Sequence, residues 1–295
     1  MYFRRTPKDL FFTWLIRVVL IACGLATLLP FLYVCAISLL SEAEFSARGL
    51  VIPSRPTLEN YVMFIKWGTK IQDAYAATIY ITLVGTVIAL MATALLAYGI
   101  AKKSLPGQPA INGLLVFTMF FGGGMIPTYM VIKSLGLLNT YWSIILPASV
   151  SVWNTMLMRT FFRQLPVELE ESARLDGASD FRIAFSIMFP LSKASFATIG
   201  LFYAVGFWNE WYAALLYLNN AMMYPLQMAL RDIITTNAQA LDATKMASGM
   251  MQVRTPPSVV VKMTAIIFTV GPILLVYPFV QKYFVRGVMV GSLKG

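Results

Sequence analysis

The sequence predicts an all-α membrane protein with six transmembrane helices and both termini in the cytoplasm. Hydrophobic residues make up 58% of the chain and charged residues only 12%, well above and well below the values of soluble globular domains. Six stretches are apolar over the roughly 20 residues that a helix needs to cross a bilayer. The loops on one side of these spans carry more than half of the 23 Lys and Arg residues, which marks that side as cytoplasmic. The predicted spans are Trp14–Leu40, Tyr75–Ala101, Ile111–Val131, Trp142–Phe162, Phe196–Leu218 and Val259–Phe279.

The first span and the segment after it are predicted to be an anchor and an external lid. The span is too long for a signal peptide, and no small-residue cleavage site follows it. Residues 41–73 are expected to be external. Within them Thr57 is positioned to cap a short helix, whose aromatic residues suit the level of the membrane interface.

The second and third spans contain small residues in informative places. The second span has a row of them at intervals of four: Gly85, Ala89, Thr93, Ala97 and Ala101. Such a row lets another helix approach closely, either within the chain or in another subunit. In the third span, glycines 122–124 precede Pro127, and this combination favours a kink or a break. A break suits either a transport pathway or tight packing.

A polar segment between the fourth and fifth spans, residues 163–192, is predicted to dock onto another protein. Pro166 suits the first turn of a helix, and glutamates follow where negative charge favours the helix N-terminus. Gly177 lies where a left-handed residue usually ends a helix, and Pro190 stops the helix that follows. An apolar stripe that a partner's groove would accept runs along the first helix: Leu165, Leu169 and Ala173.

One turn of the fifth span is a candidate for the substrate path. An acid inside a span is costly unless it faces protein or water, so Glu210 is a functional candidate, and the aromatic rings beside it suit stacking on sugar rings. The alternative is an aromatic belt at the outer interface, with Glu210 reaching the headgroups. The candidate residues are Trp208, Asn209, Glu210 and Tyr212. Residues 219–258, which follow, are expected to be external.

Several functions are excluded by what the sequence lacks. The chain has no His and no G-x-x-x-x-G-K-[ST] phosphate-binding loop. A His-dependent catalytic triad, HExxH zinc chemistry and self-contained ATP hydrolysis are therefore excluded, and energy must come from a partner or an ion gradient. The net charge of +10 reflects topology and not a nucleic-acid surface, because no basic stretch is interleaved with aromatic residues.

The polar loop also resembles the EAA loop of permease subunits in ATP-binding-cassette (ABC) importers. That pattern is E-A-A, three residues, G, nine residues and I-x-L-P. Here three residues separate Glu171-Ser172-Ala173 from Gly177, and nine residues separate Gly177 from Ile187–Pro190. Ser172 and Phe189 are the two mild departures. The T-L-E-N-Y stretch, the W-N pair and the Gly-rich tail are similar to those of maltose-type sugar permeases, and the R-L-D-G and Y-P-L-Q runs are nearest to the oligosaccharide branch, which includes alginate import.

The resemblance implies a MetI-like fold, as in type I ABC importers, in the bacterial inner membrane. It implies the following partners: a sister permease in a heterodimer, two ATPase subunits, an external solute-binding protein, an oligosaccharide substrate and membrane lipid, with no nucleic acid. The chain would be no enzyme and hold no cofactor, since ATP and Mg²⁺ would be bound by the partner subunits. The competing hypotheses are a stand-alone secondary transporter and an intramembrane enzyme.

The resemblance also implies a division of labour along the chain. Residues 1–72 would form the first span and its external segment, residues 73–285 the permease core, and residues 286–295 a cytoplasmic tail. The implied ATPase-coupling residues are Glu170, Glu171, Ser172, Ala173, Asp176, Gly177 and Pro190. The residues implied to dock the tail between the ATPase subunits are Gly287, Gly291 and Gly295; an unstructured basic end is the alternative.

Overall fold

The computed structural model describes residues 7–48, 53–66, 69–232, 235 and 259–292, and within these residues the regular structure is entirely helical. The helices before the polar loop are α1 (Pro7–Ser38), α2 (Glu42–Arg48), α3 (Glu59–Lys66), α4 (Thr69–Ala101), α5 (Gln108–Phe120), α6 (Met125–Ser134), α7 (Trp142–Ile145) and α8 (Val152–Phe162). Those of the loop and beyond are α9 (Val167–Leu175), α10 (Asp180–Ile183), α11 (Phe189–Leu191), α12 (Lys193–Trp208), α13 (Tyr212–Tyr217), α14 (residues 226–232) and α15 (Val259–Ser292). The all-helical class is confirmed.

Two of the described helices are by themselves long and apolar enough to cross a membrane. They are Leu10–Ser38 within α1 and Ile71–Ala101 within α4. The number rises to four if each of two sharply bent helix pairs counts as one span. The figure of six spans therefore stays a prediction.

The third predicted span is broken at its glycines. Helices α5 and α6 meet at an angle of 110°, and the residues between them include glycines 122–124. Gly124 has a φ of +84°, a backbone conformation that glycine adopts without strain. The predicted kink or break is confirmed.

The fourth predicted span, Trp142–Phe162, is divided as well, which the sequence analysis missed. Helix α7 ends at Ile145, and α8 begins only at Val152. Leu146 still has helical backbone angles (φ −66°, ψ −46°), and Pro147 after it has no N–H with which to continue the helical hydrogen bonds. Ser151 then caps α8, because its hydroxyl accepts a hydrogen bond from the Asn154 N–H at 3.4 Å.

The small-residue row of α4 is a packing seam within the chain. The longest contact of α4 is with α12, and the next is with α8. Ala89, Thr93 and Ala97 are fully buried, and the Thr93 hydroxyl lies 2.6 Å from that of Tyr203 on α12. A Cβ on Gly85 would come within 2.9 Å of the Phe207 ring. Of the two alternatives for this row, intrachain packing is confirmed.

The chain divides into two compact units, Met1–Trp67 with Asp232–Gly271, and Gly68–Arg231 with Pro272–Gly295. Residues 259–271 group with the N-terminal segment in this division, and the functional division at residues 72 and 285 stays a prediction. Helix α15 also continues through residue 286 to Ser292. Gly287 and Gly291 therefore lie in a helix, and Gly295 lies outside the described residues.

In the first unit, the T-L-E-N-Y stretch closes the end of α1. The Asn60 side chain donates hydrogen bonds to the backbone oxygens of Ser38 at 3.4 Å and Leu40 at 2.7 Å. The Tyr61 hydroxyl lies 2.7 Å from the Ser38 hydroxyl. Carbonyls at a helix end need such partners. Thr57 accepts a hydrogen bond from the Glu59 N–H at 3.2 Å, so the predicted cap of α3 is confirmed.

Candidate functional site

The polar loop begins with the short helix α9. Pro166 precedes it with φ of −59° and ψ of 130°, and Glu168 and Glu170 occupy its first turn, where the helix dipole favours negative charge. The apolar stripe faces inward for most of its length. Ala173 belongs to the buried core and Leu165 packs against that core, while Leu169 is exposed. The stripe thus holds α9 to its own chain, contrary to the expectation that it docks onto a partner, because the stripe continues the apolar core.

A tight turn at Gly177 ends α9. The Gly177 N–H donates to the Arg174 oxygen at 3.0 Å, and the Ala178 N–H donates to the Ala173 oxygen at 3.0 Å, the pair of bonds that defines a Schellman motif. Gly177 has a φ of +80°, so its predicted left-handed conformation is confirmed. The chain then re-enters a helix at Asp180, with the Ser179 hydroxyl accepting from the Arg182 N–H at 3.4 Å.

An ion-pair cluster joins this turn to the end of α4. We define the charge cluster as Lys102, Glu170, Arg174 and Asp180. The Lys102 Nζ lies 3.0 Å from Glu170 Oε1 and 2.6 Å from Asp180 Oδ1. Arg174 contacts the same two oxygens, at 3.2 and 3.1 Å. The Tyr98 hydroxyl donates to Glu170 at 2.9 Å, and the Lys102 ammonium lies 4.4 Å from the centre of the Tyr98 ring. Each acid of the cluster therefore contacts both bases.

The middle of the charge cluster is largely shielded from solvent. The side chains of Lys102 and Glu170 are only 14% and 16% exposed. Burial opposes the charge on Lys102, but hydrogen bonds to Asp180, Tyr98 and Glu170 outweigh it and raise the pKa of Lys102. The hydrogen bond from Lys102, with the nearby charge of Arg174, lowers the pKa of Asp180. Both shifts reflect contacts that stabilise the charged forms of Lys102 and Asp180.

Beyond Asp180 the chain leads into α12 through an irregular helical segment. A π-helical turn, Ala184–Met188, connects α10 to α11, and the chain then bends by 85° into α12. Pro190 lies one residue before the end of α11, consistent with the predicted stop. Phe189 stacks on Phe162 with ring centres 5.8 Å apart and contacts Phe196 at 5.1 Å, which anchors the end of the loop in the core.

The outward surface of the loop is unusually apolar for a charged segment. Leu175 is 90% exposed, Phe181 71% and Val167 59%. Among the implied coupling residues, Glu171, Ser172 and Asp176 are also exposed, whereas Glu170 turns inward to the charge cluster. A cavity of about 420 Å³ opens beside α9, and Arg163 and Glu171 are among the residues that line it. We call the exposed part of the loop the loop face, defined by Val167, Glu171, Ser172, Leu175, Asp176 and Phe181.

A second candidate site lies where the fifth predicted span is interrupted. Helix α12 ends at Trp208, and α13 begins at Tyr212. The Ala213 N–H donates to Glu210 Oε1 at 2.8 Å, so the acid caps the start of α13. The Asn209 side chain donates to the Val205 oxygen at 2.9 Å.

Other elements converge on the same break. The Gln227 amide donates to the Asn209 side chain at 3.2 Å, and the Tyr212 hydroxyl donates to the Met125 sulfur at 3.0 Å. Arg231 lies over the Trp211 ring, 4.9 Å from its centre. The structure thus brings Asn209, Glu210 and Tyr212 to one break with Trp208 at its edge. Gln227 and Arg231 come from the segment after α13, and no pattern in that segment predicted that they lie at this break.

The Lys102 and Asp180 contributions to the first site were also missed. The spacing of Glu170 and Arg174, four residues apart on α9, is a visible sign of a helical ion pair. Lys102 is 68 residues before Glu170, as their numbers show, and only the packing of α9 against α4 brings the two together.

Comparison with known proteins gives consistent matches over most of the chain. Residues 104–290 match the family model described as "Binding-protein-dependent transport system inner membrane component". Protein LplC of Bacillus subtilis (strain 168) is 44% identical over 273 residues, covering 92% of this chain and 91% of that protein. The polygalacturonan/rhamnogalacturonan transport system permease protein YtcP of the same organism is 40% identical over 290 residues, covering 98% and 100%.

A solved structure matches as well. It is reported as the crystal structure of a bacterial ABC transporter involved in the import of the acidic polysaccharide alginate, and one of its chains superposes with a TM-score of 0.83 at 30% identity. The match covers 96% of this chain and 100% of that one.

Proposed function

Because this chain belongs to the family of inner membrane components of binding-protein-dependent transport systems, we propose that it is the permease subunit of an ATP-driven oligosaccharide importer. The similarity to a polygalacturonan/rhamnogalacturonan permease and to a chain of an alginate importer supports a carbohydrate substrate. The alginate importer is described as importing an acidic polysaccharide, so acidic oligosaccharides are the first class to test. Nothing in the comparisons favours a stand-alone secondary transporter.

The loop face is the proposed docking surface for an ATPase subunit. The observation that carries this proposal is the combination of exposed Leu175 and Phe181 with a turn fixed by the Schellman bonds at Gly177. Apolar side chains this exposed on a short helical hairpin are typical of an interaction site. Glu171 offers a charge to a basic group of the partner, and the neighbouring cavity offers room for a partner's side chain.

Motion of the ATPase subunits would reach the membrane through the loop. Closure of the ATPase pair on ATP would move the loop face, and the helical segment from Asp180 to Leu191 would carry that movement into α12. Repeated closure and opening would expose a substrate path to alternate sides of the membrane. ATP and Mg²⁺ would be held by the ATPase subunits, so this chain acts through movement and not through chemistry.

The remaining organisation follows the family resemblance. We propose a heterodimer with a sister permease, two ATPase subunits and an external solute-binding protein, in the bacterial inner membrane. Six spans with cytoplasmic termini, a core of residues 73–285 and a tail of residues 286–295 complete the proposal. Since Gly287 and Gly291 lie in α15, the tail would approach the ATPase subunits at least partly as a helix.

The break between α12 and α13 is the proposed contribution of this chain to the substrate path. Asn209, Tyr212 and Trp211 are exposed there, and they combine hydrogen-bonding groups with aromatic faces. Glu210 already accepts a backbone hydrogen bond, so its structural task is to hold the break open. An acidic sugar would be repelled by Glu210 and attracted by Arg231, which lies over the Trp211 ring.

The test is reconstitution of the complete complex in proteoliposomes. ATP-driven uptake is measured with a fixed panel of trigalacturonate, an alginate trisaccharide and the neutral trisaccharide raffinose. We expect uptake of one of them only when ATP, the ATPase subunits and the binding protein are all present. We also expect Glu171→Lys on the loop face to lower uptake while the protein still reaches the membrane. ATP hydrolysis by the pure single chain, or ATP-independent uptake by it, would refute the proposed function.

A further inference from the structure

We propose that Lys102 is a positioning residue that couples the loop to α4, so that the loop moves two core helices at once. This inference rests on the proposed function, and it concerns how the loop acts on the membrane part of the chain. The loop is continuous in sequence with α12, so a path to α12 needs no side chain. A path to α4 exists only through tertiary contacts, and the charge cluster supplies them.

Lys102 contacts residues on both sides of the Gly177 turn. Its Nζ contacts Glu170, before the turn, at 3.0 Å and Asp180, after the turn, at 2.6 Å. Arg174 contacts the same two acids, so α9 and α10 are fastened together and Lys102 fastens the pair to α4. Because Lys102 and Glu170 are largely buried, water screens this contact less than it screens a surface ion pair.

The end of α4 is itself held firmly, so it can receive a force without fraying. The Ile100 backbone oxygen accepts hydrogen bonds from Gln108 Nε2 at 2.8 Å and from Arg159 Nε at 3.1 Å. Gln108 also donates to the Lys102 oxygen at 3.0 Å. Side chains from α5 and α8 thus satisfy carbonyls that a helix end leaves unpaired. Lys102 follows directly on a fixed helix end.

The two helices that the loop would move pack against each other extensively. Among the described helices, α4 has its most extensive contact with α12, with Gly85 against Phe207 and Thr93 against Tyr203. If the loop pulled α12 alone, this seam would have to shear. If α4 and α12 move together, the contact between them is preserved. The charge cluster is the contact that makes α4 move with the loop.

Replacing Lys102 tests the inference in the reconstituted complex. The quantity measured is sugar imported per ATP hydrolysed, for the panel sugar that the wild-type complex imports, normalised to permease in the vesicles. Lys102→Gln should lower this ratio roughly fivefold or more, as expected when a coupling contact is lost, while ATP hydrolysis continues. Lys102→Arg should keep the ratio close to wild type, because Arg retains the charge.

Two further variants separate positioning from simple stability. Lys133→Gln removes an exposed lysine in the last turn of α6, away from the loop, which makes no ion pair with the described residues, and it should leave the ratio unchanged. Lys102→Met removes both ion pairs but keeps an unbranched side chain beside the Tyr98 ring, and it should lower the ratio as Lys102→Gln does.

The outcomes distinguish this inference from the proposed function. An unchanged ratio in Lys102→Gln, even with less protein in the membrane, overturns the inference and leaves the importer proposal intact. An equal loss in Lys133→Gln, or a wild-type ratio in Lys102→Met, also overturns it. Failure of the wild-type complex to import any panel sugar would instead refute the proposed function.

Discussion

Replacing Gly177 by Ala is expected to uncouple transport from ATP hydrolysis, and the cause would be backbone strain at the turn without any side-chain clash. Gly177 has a φ of +80°, and a residue with a Cβ in the left-handed region costs about 1 to 2 kcal/mol. A Cβ at this position would meet no atom within 4 Å, so no clash adds to that strain. A cost of this size lowers the ratio of native to non-native conformations of the turn roughly five- to thirtyfold. The loop face would then lose its alignment with α10, and sugar imported per ATP hydrolysed should fall.

The chain offers a matched control for this substitution. Gly136 ends α6 with a φ of +68°, and the bonds from Gly136 to Lys133 at 3.0 Å and from Leu137 to Ile132 at 3.1 Å repeat the motif at Gly177. A Cβ there also meets no atom within 4 Å. Gly136→Ala should therefore lower the thermal stability of the complex by a similar amount without changing the import ratio. A wild-type ratio in Gly177→Ala, or an equal loss in both variants, would refute the reasoning.

Two further predictions concern Glu210 and Gly85. The Glu210→Gln variant should import sugar as the wild type does, because the Gln oxygen can still accept a hydrogen bond from the Ala213 N–H. Glu210→Ala should lower the melting temperature, because it removes a helix cap worth about 1 kcal/mol. Lost import in Glu210→Gln at an unchanged melting temperature would instead assign the charge of Glu210 to translocation. Gly85→Ala should destabilise the purified protein by about 1 to 3 kcal/mol, because its Cβ would lie 2.9 Å from the Phe207 ring. The control is Gly99→Ala on the same helix, where no atom lies within 4 Å, and equal melting temperatures for the two variants would contradict the packing seam.

The features that the sequence predicted well are encoded locally. The Gly177 turn, the break at glycines 122–124 and the cap at Thr57 each depend on the backbone preferences of a few adjacent residues. The small-residue row of α4 was visible for the same reason, since a period of four is a property of one helix. Its partner was not visible, and the structure decides between packing inside the chain and packing between subunits.

The features that the sequence missed depend on contacts between distant segments. Lys102 and Asp180 are remote in sequence, and only the fold brings them within 2.6 Å. The hydrogen-bond partner of Glu210 was not visible for a related reason, because it is a backbone N–H that is available only where the helix breaks. The division of the fourth span was missed although Pro147 and Ser151 are ordinary signals, since its continuous apolar composition obscured them.

The π-helical turn explains why the loop pattern has a fixed number of residues between its glycine and its proline. A regular α-helix turns by about 100° per residue, so a segment of fixed end points tolerates only certain lengths. The turn at Ala184–Met188 takes up one residue more than an α-helical turn would. It thereby lets Asp180 reach Lys102 while Phe189 reaches the aromatic core. The nine residues between Gly177 and Ile187 therefore set the distance between these two contacts. A relative with a different number of residues there would need a different helical geometry to make both contacts.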